Sequence, residues 1–181
     1  MAEKVLYHGT IHLFSSVDTS KGKGYKDFGP GFYTTGVRKH AVNLARRNKQ
    51  IEFDRLRILG VNNTNIRTYI YEYLFDTNYI NIGSCRIFKA ADMGWVNFII
   101  LNRENQFKAH TYEIVQGPTA DDDTNLTLNN FRRGIFGDPS SQMAKQILLQ
   151  LLAADKLPVQ TYFGTDAATS KLKFIRRSVV E

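Results

Sequence analysis

A chain of 181 residues that is 43% hydrophobic is long enough for a single domain over residues 1–181 with its own core. It contains no run of about 18 apolar residues, and no long apolar segment follows Met1-Ala2-Glu3-Lys4, so neither a membrane-spanning helix nor a secretory leader is expected. Cys85 is the only cysteine, which excludes an internal disulfide and a cysteine zinc site; a reducing cytoplasm fits, as does export without such a leader.

Taken in order, Val5-Leu6-Tyr7 is a short strand, and Ser15 to Lys26, polar and containing glycine, is a loop. Phe32 to Thr35 reads as a strand end. Val37 to Lys49 sets Val37, Ala41, Leu44 and Ala45 at helical spacing among basic residues, which predicts an amphipathic helix. Ile66 to Phe75 is aromatic and β-branched, a strand whose Tyr69, Tyr71 and Tyr73 share one face, either packed or forming a shelf for a base. Tyr79 to Phe88 alternates apolar and polar residues, a further strand. Ala91 to Leu101 reads as a helix starting near Asp92, with Trp95, Phe98 and Ile99 toward the core. Thr111 to Val115 is a strand ending at Gly117-Pro118, and Ala120 to Asn130 reads as a polar loop with three consecutive aspartates. Asp138-Pro139-Ser140-Ser141 opens a helix to about Ala154, with Asp138 or Ser140 as its cap. Val159 to Phe163 and Lys171 to Val180 are the last strands.

The formal net charge is +7, and most of it is N-terminal: residues 1–60 hold 11 Lys/Arg against 5 Asp/Glu. Lys21, Lys23 and Lys26 lie in the first loop; Arg38, Lys39, Arg46, Arg47 and Lys49 lie on the first helix. This is either a surface for phosphates or a solvated basic face, and no aromatic-basic repeat decides between them.

Two short motifs point to a ligand. Tyr7-His8-Gly9-Thr10 and Gly29-Pro30-Gly31-Phe32-Tyr33-Thr34-Thr35 each set a ring-bearing polar residue beside glycine, next to an apolar run. A glycine without Cβ admits a flat ligand onto the backbone. His8 can donate to a sugar hydroxyl, and Tyr33 can stack on a heteroaromatic ring. A nucleotide-like ligand is expected between His8-Gly9 and Tyr33. His12, His40 and His110 carry no such context and read as structural.

These motifs resemble the ADP-ribosyltransferase superfamily of the diphtheria-toxin and poly(ADP-ribose)-polymerase type. A more extensive resemblance is to the bacterial domain-of-unknown-function family 3990, assigned to that fold. It runs through Asp27-Phe28-Gly29-x-Gly31-Phe32-Tyr33, Trp95-x-x-Phe98-Ile99 to Asn102-Arg103, Val115-x-Gly117-Pro118-x-Ala120-Asp121-Asp122 and Gln160-x-x-Phe163. The resemblance implies an α+β fold: an ADP-ribosyltransferase-like split, curved antiparallel β-core of two small sheets with flanking helices. It implies NAD as substrate, bound by His8, Gly9, Thr10, Gly31, Phe32 and Tyr33. His8 would hold the adenosine-side ribose, Gly9 the nicotinamide carboxamide and Tyr33 the nicotinamide ring. It also implies a macromolecular acceptor, protein or nucleic acid. Members often look like toxin components, which implies a small antitoxin or immunity protein.

The third motif departs from the superfamily, which carries a catalytic glutamate on a late strand. The matching residue is Gln160, which can bond a ribose hydroxyl but supplies no charge and no base. Asp121 and Asp122, with Asp123, are an alternative source of charge at the lip of the site; a solvated acidic loop or a divalent-ion site are the other readings. The expected catalytic set is therefore His8, Tyr33, Gln160, Asp121 and Asp122, and a glutamate at 160 should preserve or raise turnover. Arg103 is expected to pair within 121–123. Three functions stay open: an NAD-dependent mono-ADP-ribosyltransferase, a module of the same fold that holds NAD or ADP-ribose without turnover, and a basic nucleic-acid-binding domain.

Overall fold

Runs of aromatic and aliphatic residues build most of the strands. In the computed structural model, which describes residues 3–61, 65–81, 84–154 and 157–180, β1 (Glu3–Thr10), β2 (Phe32–Thr35), β3 (Thr68–Asp76), β4 (Cys85–Ile87), β5 (Ile114–Pro118), β6 (Val159–Phe163) and β7 (Leu172–Val180) form one mixed sheet. Its order is β4-β5-β6-β2-β1-β3-β7. Helices α1 (Arg38–Ile58), α2 (Met93–Arg103), α3 (Asp122–Arg132), α4 (Gln142–Ala154) and α5 (Asp166–Thr169) flank it, an α+β fold as expected.

The expected pair of antiparallel sheets takes a different form. All seven strands join in one ladder, and β4 pairs with β5 in parallel. The division lies inside that ladder: β1 and β2 share only the pair Tyr7↔Thr35, whereas β1 pairs with β3 along its whole length. The two halves of the sheet thus separate beyond Tyr7 and Thr35.

Strand periodicity sends alternate residues to opposite faces. One face meets α2, α3 and α4 through Trp95, Ile99, Val115, Leu128, Leu148 and Tyr162. The other packs Leu6, Phe32, Tyr71, Tyr73, Phe75 and Phe163 together. Tyr71 and Tyr73 are therefore packing residues; Tyr71 also stacks on Phe14 at 4.1 Å, and its hydroxyl accepts from Phe14 N. Helix α1 lies on the first face over β1, burying Ala41 and Ala45 against Ile70. It runs nine residues past the predicted end at Lys49 to Ile58, where Gly60 at φ +72° closes it: Gly60 N donates to Arg57 O and Val61 N to Leu56 O.

Three local expectations are corrected. The segment 120–130 is largely helical, because Asp121 accepts from Thr124 N and caps α3. The strand expected from Tyr79 to Phe88 is broken: Asn78 N donates to Asp76 Oδ1, a 3-10 turn follows over Thr77–Asn81, and only Cys85–Ile87 pairs; 82–83 lie outside the described residues. Helix α4 starts after Ser141, whose hydroxyl accepts from Ala144 N, in place of a cap at Asp138 or Ser140. Among the described residues, no helix is long and apolar enough to cross a membrane.

Candidate functional site

The seam between β1 and β2 is where the two motifs meet, and each face beside it carries a cavity. On the α1 face, a cavity of about 320 Å³ is lined by Gly9, Tyr33, Thr35, Asp121 and Gln160, with His40, Leu44 and Arg47 of α1 as one wall. On the opposite face, a cavity of about 520 Å³ is lined by His8, Thr10, Gly31 and Phe32 with the loop from His12 to Gly22. The single slot expected between His8-Gly9 and Tyr33 is therefore divided. Neighbours on one strand present opposite faces, so the His8 ring lines one chamber and Gly9 lines the other.

His8 spans the seam instead. Its Nδ1 lies 2.7 Å from the Tyr33 carbonyl, which can only accept, so Nδ1 carries the hydrogen. Burial, partly opposed by that bond, lowers the imidazole pKa from 6.5 to about 4, so the ring is neutral at pH 7. Its Nε2 is then an acceptor. This corrects the expected role: His8 would accept a hydrogen bond from a sugar hydroxyl, not donate one. The ring also packs on Phe32 at 4.3 Å.

Tyr33 is held at its far end. Its hydroxyl donates to Gly29 O at 2.6 Å and accepts from Phe28 N at 3.0 Å. Burial, reinforced by nearby Asp27, pushes the phenol pKa well above its usual range. The ring meets Tyr162 edge-on at 5.2 Å, which sets its plane at the cavity wall.

The two glycines expected to bind NAD, Gly9 and Gly31, already have neighbours. A Cβ on Gly9 would come within 1.8 Å of the Ala41 carbonyl, so glycine at 9 lets α1 sit directly on β1. A Cβ on Gly31 would meet the Tyr162 ring at 2.3 Å. The expected bare backbone platform is, at these Cβ positions, a packing contact.

Gln160 sits in a buried polar hub that sequence reasoning missed. Only 9% exposed, it donates from Nε2 to Asp27 Oδ2 at 2.6 Å, and lies 3.4 Å from the Pro118 carbonyl. Both partners accept only, so the amide nitrogen must face them. Asp27, 7% exposed, also accepts from Ala120 N at 3.0 Å and from the Arg103 guanidinium, with Nε at 2.8 Å. Arg103 in turn donates to the Ala120 carbonyl at 3.0 Å. Its expected partner within 121–123 is thus replaced by Asp27, because the guanidinium reaches the loop through the Ala120 backbone. The hub ties β6, the Asp27 loop and the 119–121 lip together. It also puts a carboxylate where a glutamate at 160 would place a second one.

Asp121 lines the smaller cavity while its Oδ1 caps α3 at 2.9 Å from Thr124 N. Asp122 and Asp123 begin that helix, where negative charge favours the N-terminal dipole. Asp123 is exposed, and the Asp122 side chain lies outside the described residues. His110 is architectural: its Nε2 donates to Phe28 O at 2.9 Å, and Nδ1 accepts from Tyr112 N at 3.1 Å. Among the described residues, no group of three or more His, Cys, Asp or Glu converges as metal ligands would.

A family model described as Protein of unknown function (DUF3990) matches residues 4–174. The chain belongs to that family. No curated protein and no solved structure matches it significantly. The match to the DUF3990 model takes in β1, β2, β6 and the Asp27–Arg103–Gln160 hub. Asp27 was visible in sequence as the start of the Asp27-Phe28-Gly29 run, but Gln160 lies 133 residues further on, so nothing local joined them. Leu44 and Arg47 were visible only as positions on a helix.

Proposed function

We propose that this DUF3990 protein is an NAD-dependent mono-ADP-ribosyltransferase, a toxin or effector acting in a bacterial cytoplasm on a protein or nucleic-acid acceptor and restrained by a small antitoxin or immunity protein. The observation that carries this reading is the cavity at the β1–β2 seam, which gathers Gly9, Tyr33, Asp121 and Gln160 from four distant segments. Tyr33 offers an aromatic wall with its hydroxyl tied away from the ligand. Gln160, with its nitrogen turned to Asp27, keeps Oε1 as the acceptor for a hydroxyl of the nicotinamide-side ribose. His8 and Thr10, on the far side of the seam, suit the adenosine half.

In the transfer, the bond from ribose C1′ to nicotinamide breaks and nicotinamide leaves with the bonding pair. The acceptor's nucleophile bonds to C1′ and loses its proton. Positive character grows at C1′, and Asp121 is the carboxylate at the cavity wall that can oppose it. The Asp27 carboxylate stands one hydrogen bond behind Gln160, but Arg103 offsets its charge. The chemistry then rests mainly on positioning.

A second reading is an NAD- or ADP-ribose-binding module without turnover. It is favoured by the same hub: Gln160 is neutral and committed to Asp27, and Asp121 is committed to α3. Incubating the protein with NAD labelled in adenine and in nicotinamide, with and without bacterial lysate, separates the two. Transferred adenine label with free nicotinamide supports the transferase. Calorimetric NAD binding without either supports the module. Absence of binding rejects both.

A further inference from the structure

A further cavity lies beyond the two at the seam. It encloses about 870 Å³ between the loop after β1 and the turn after α2. Lys23, Lys26 and Lys108 line it, no Asp or Glu among the described residues does, and Tyr25 and Phe107 stand in the same wall. Both rings face water, Tyr25 at 59% and Phe107 at 77% exposed, where apolar burial gives no reason to keep them.

The loop is built to hold this shape. Tyr25 has φ +60°, the only non-glycine residue at positive φ among the described residues. It is fixed there by Tyr25 N donating to Asn105 O at 3.1 Å, and by Gly24, whose Cβ would come within 2.2 Å of the Gln106 carbonyl. A bulky residue kept in a strained backbone region, with its ring exposed beside lysines, is the pattern of a binding site rather than of a solvated loop. The cavity also adjoins the one containing His8, because Gly22 lines both.

We propose that this cavity binds single-stranded nucleic acid, with Lys23, Lys26 and Lys108 on the phosphates and Tyr25 and Phe107 stacked on bases. Stacking platforms among cations fit unpaired bases; an acidic peptide would use the lysines and leave the rings idle, and a duplex hides its base faces. That the bound strand is also the acceptor rests on the transferase reading; the binding itself does not.

The test is fluorescence anisotropy of a labelled 12-nucleotide oligo(dT) and oligo(U) with the full chain, without NAD, across a salt series. The site predicts binding that weakens with salt. Lys23→Gln/Lys26→Gln/Lys108→Gln should flatten the salt slope by about 2, at roughly 0.7 per phosphate contact. Phe107→Ala and Tyr25→Gly should each weaken binding about tenfold or more with the slope kept. Glycine at 25 relieves the positive φ, so that variant should fold at least as well as the parent, which thermal unfolding checks. Absent binding at low salt, equal affinity in both aromatic variants, or equal displacement by polyglutamate or duplex DNA would each overturn the proposal. With labelled NAD added, label on the oligonucleotide supports the acceptor role. Binding and nicotinamide release without such label keep the site and remove that role; no nicotinamide release counts against the transferase alone.

Discussion

Gln160→Glu, the change that looks most conservative with respect to a transferase glutamate, should instead destabilise the fold at neutral pH. Gln160 Nε2 lies 2.6 Å from Asp27 Oδ2, so a glutamate would set a second carboxylate oxygen near that point in a buried hub. Two full charges at such a distance repel by about 6 kcal/mol at an effective dielectric of 20, enough that the pair keeps one proton. Raising a folded carboxyl by about two units above its unfolded value near 4.3 costs roughly 3 kcal/mol at pH 7. The sign follows: the folded state then binds more protons than the unfolded one, so the penalty is full above the raised value and fades as pH falls toward about 4.3. In the protonated form the new hydroxyl donates to Asp27 and replaces the lost amide bond. Urea unfolding of parent and variant from pH 4.5 to 8 should show a gap that widens with pH. Asp27→Asn/Gln160→Glu, in which an amide again faces a carboxylate, should remove most of that pH dependence. A gap that is absent, or constant across the range, would show that Asp27 does not face Gln160.

Gly9→Ala should destabilise the protein by about 1–3 kcal/mol or displace α1, because the new methyl meets the Ala41 carbonyl; thermal unfolding and NMR of Ala41 and Leu44 would read it. For His8, nitrogen-detected NMR should find the neutral Nδ1–H tautomer titrating at about 4, and removing that titration by His8→Ala should lessen the loss of stability as pH falls from 6.5 to 4, by at most about 3 kcal/mol since the ring borders an open cavity. Asp121→Asn keeps a capping side chain and should leave stability within a few tenths of a kcal/mol while lowering turnover roughly tenfold to a thousandfold; Asp121→Ala should cost about 1 kcal/mol of stability as well, so equal turnover in Asp121→Asn and parent would reduce Asp121 to a cap. Tyr33→Ala should weaken NAD binding by about 1–3 kcal/mol in calorimetry, and unchanged affinity would move the site elsewhere.

The strands were legible because a strand covered on both faces reads as a run of aromatic and β-branched residues: β3 and β6 fall close to their predicted ranges. Helix α3 was not, because three aspartates and two threonines look like a solvated loop; the signal was Asp121 three residues before Thr124, a cap. The end of α1 was marked by Gly60, which closes it, beyond where the apolar spacing fades. For the site, the motifs named residues that do meet at one seam, but strand alternation divides them between two faces. Gly9 was read as an opening for a ligand when its missing Cβ admits a helix. The Asp27–Gln160 bond joins segments far apart in the chain, Tyr25 and Phe107 line one cavity from distant loops, and no local pattern encodes either arrangement.

A crystal structure of the protein grown with NAD would show whether the β1–β2 seam holds the dinucleotide. Nicotinamide should lie between Tyr33 and Leu44 at the cavity wall, with a ribose hydroxyl donating to Gln160 Oε1 and the adenosine end on the side of His8 and Thr10. NAD bound in the basic cavity at Lys23 and Lys108 instead, or a seam closed by α1 with NAD present at saturating concentration, would contradict that placement.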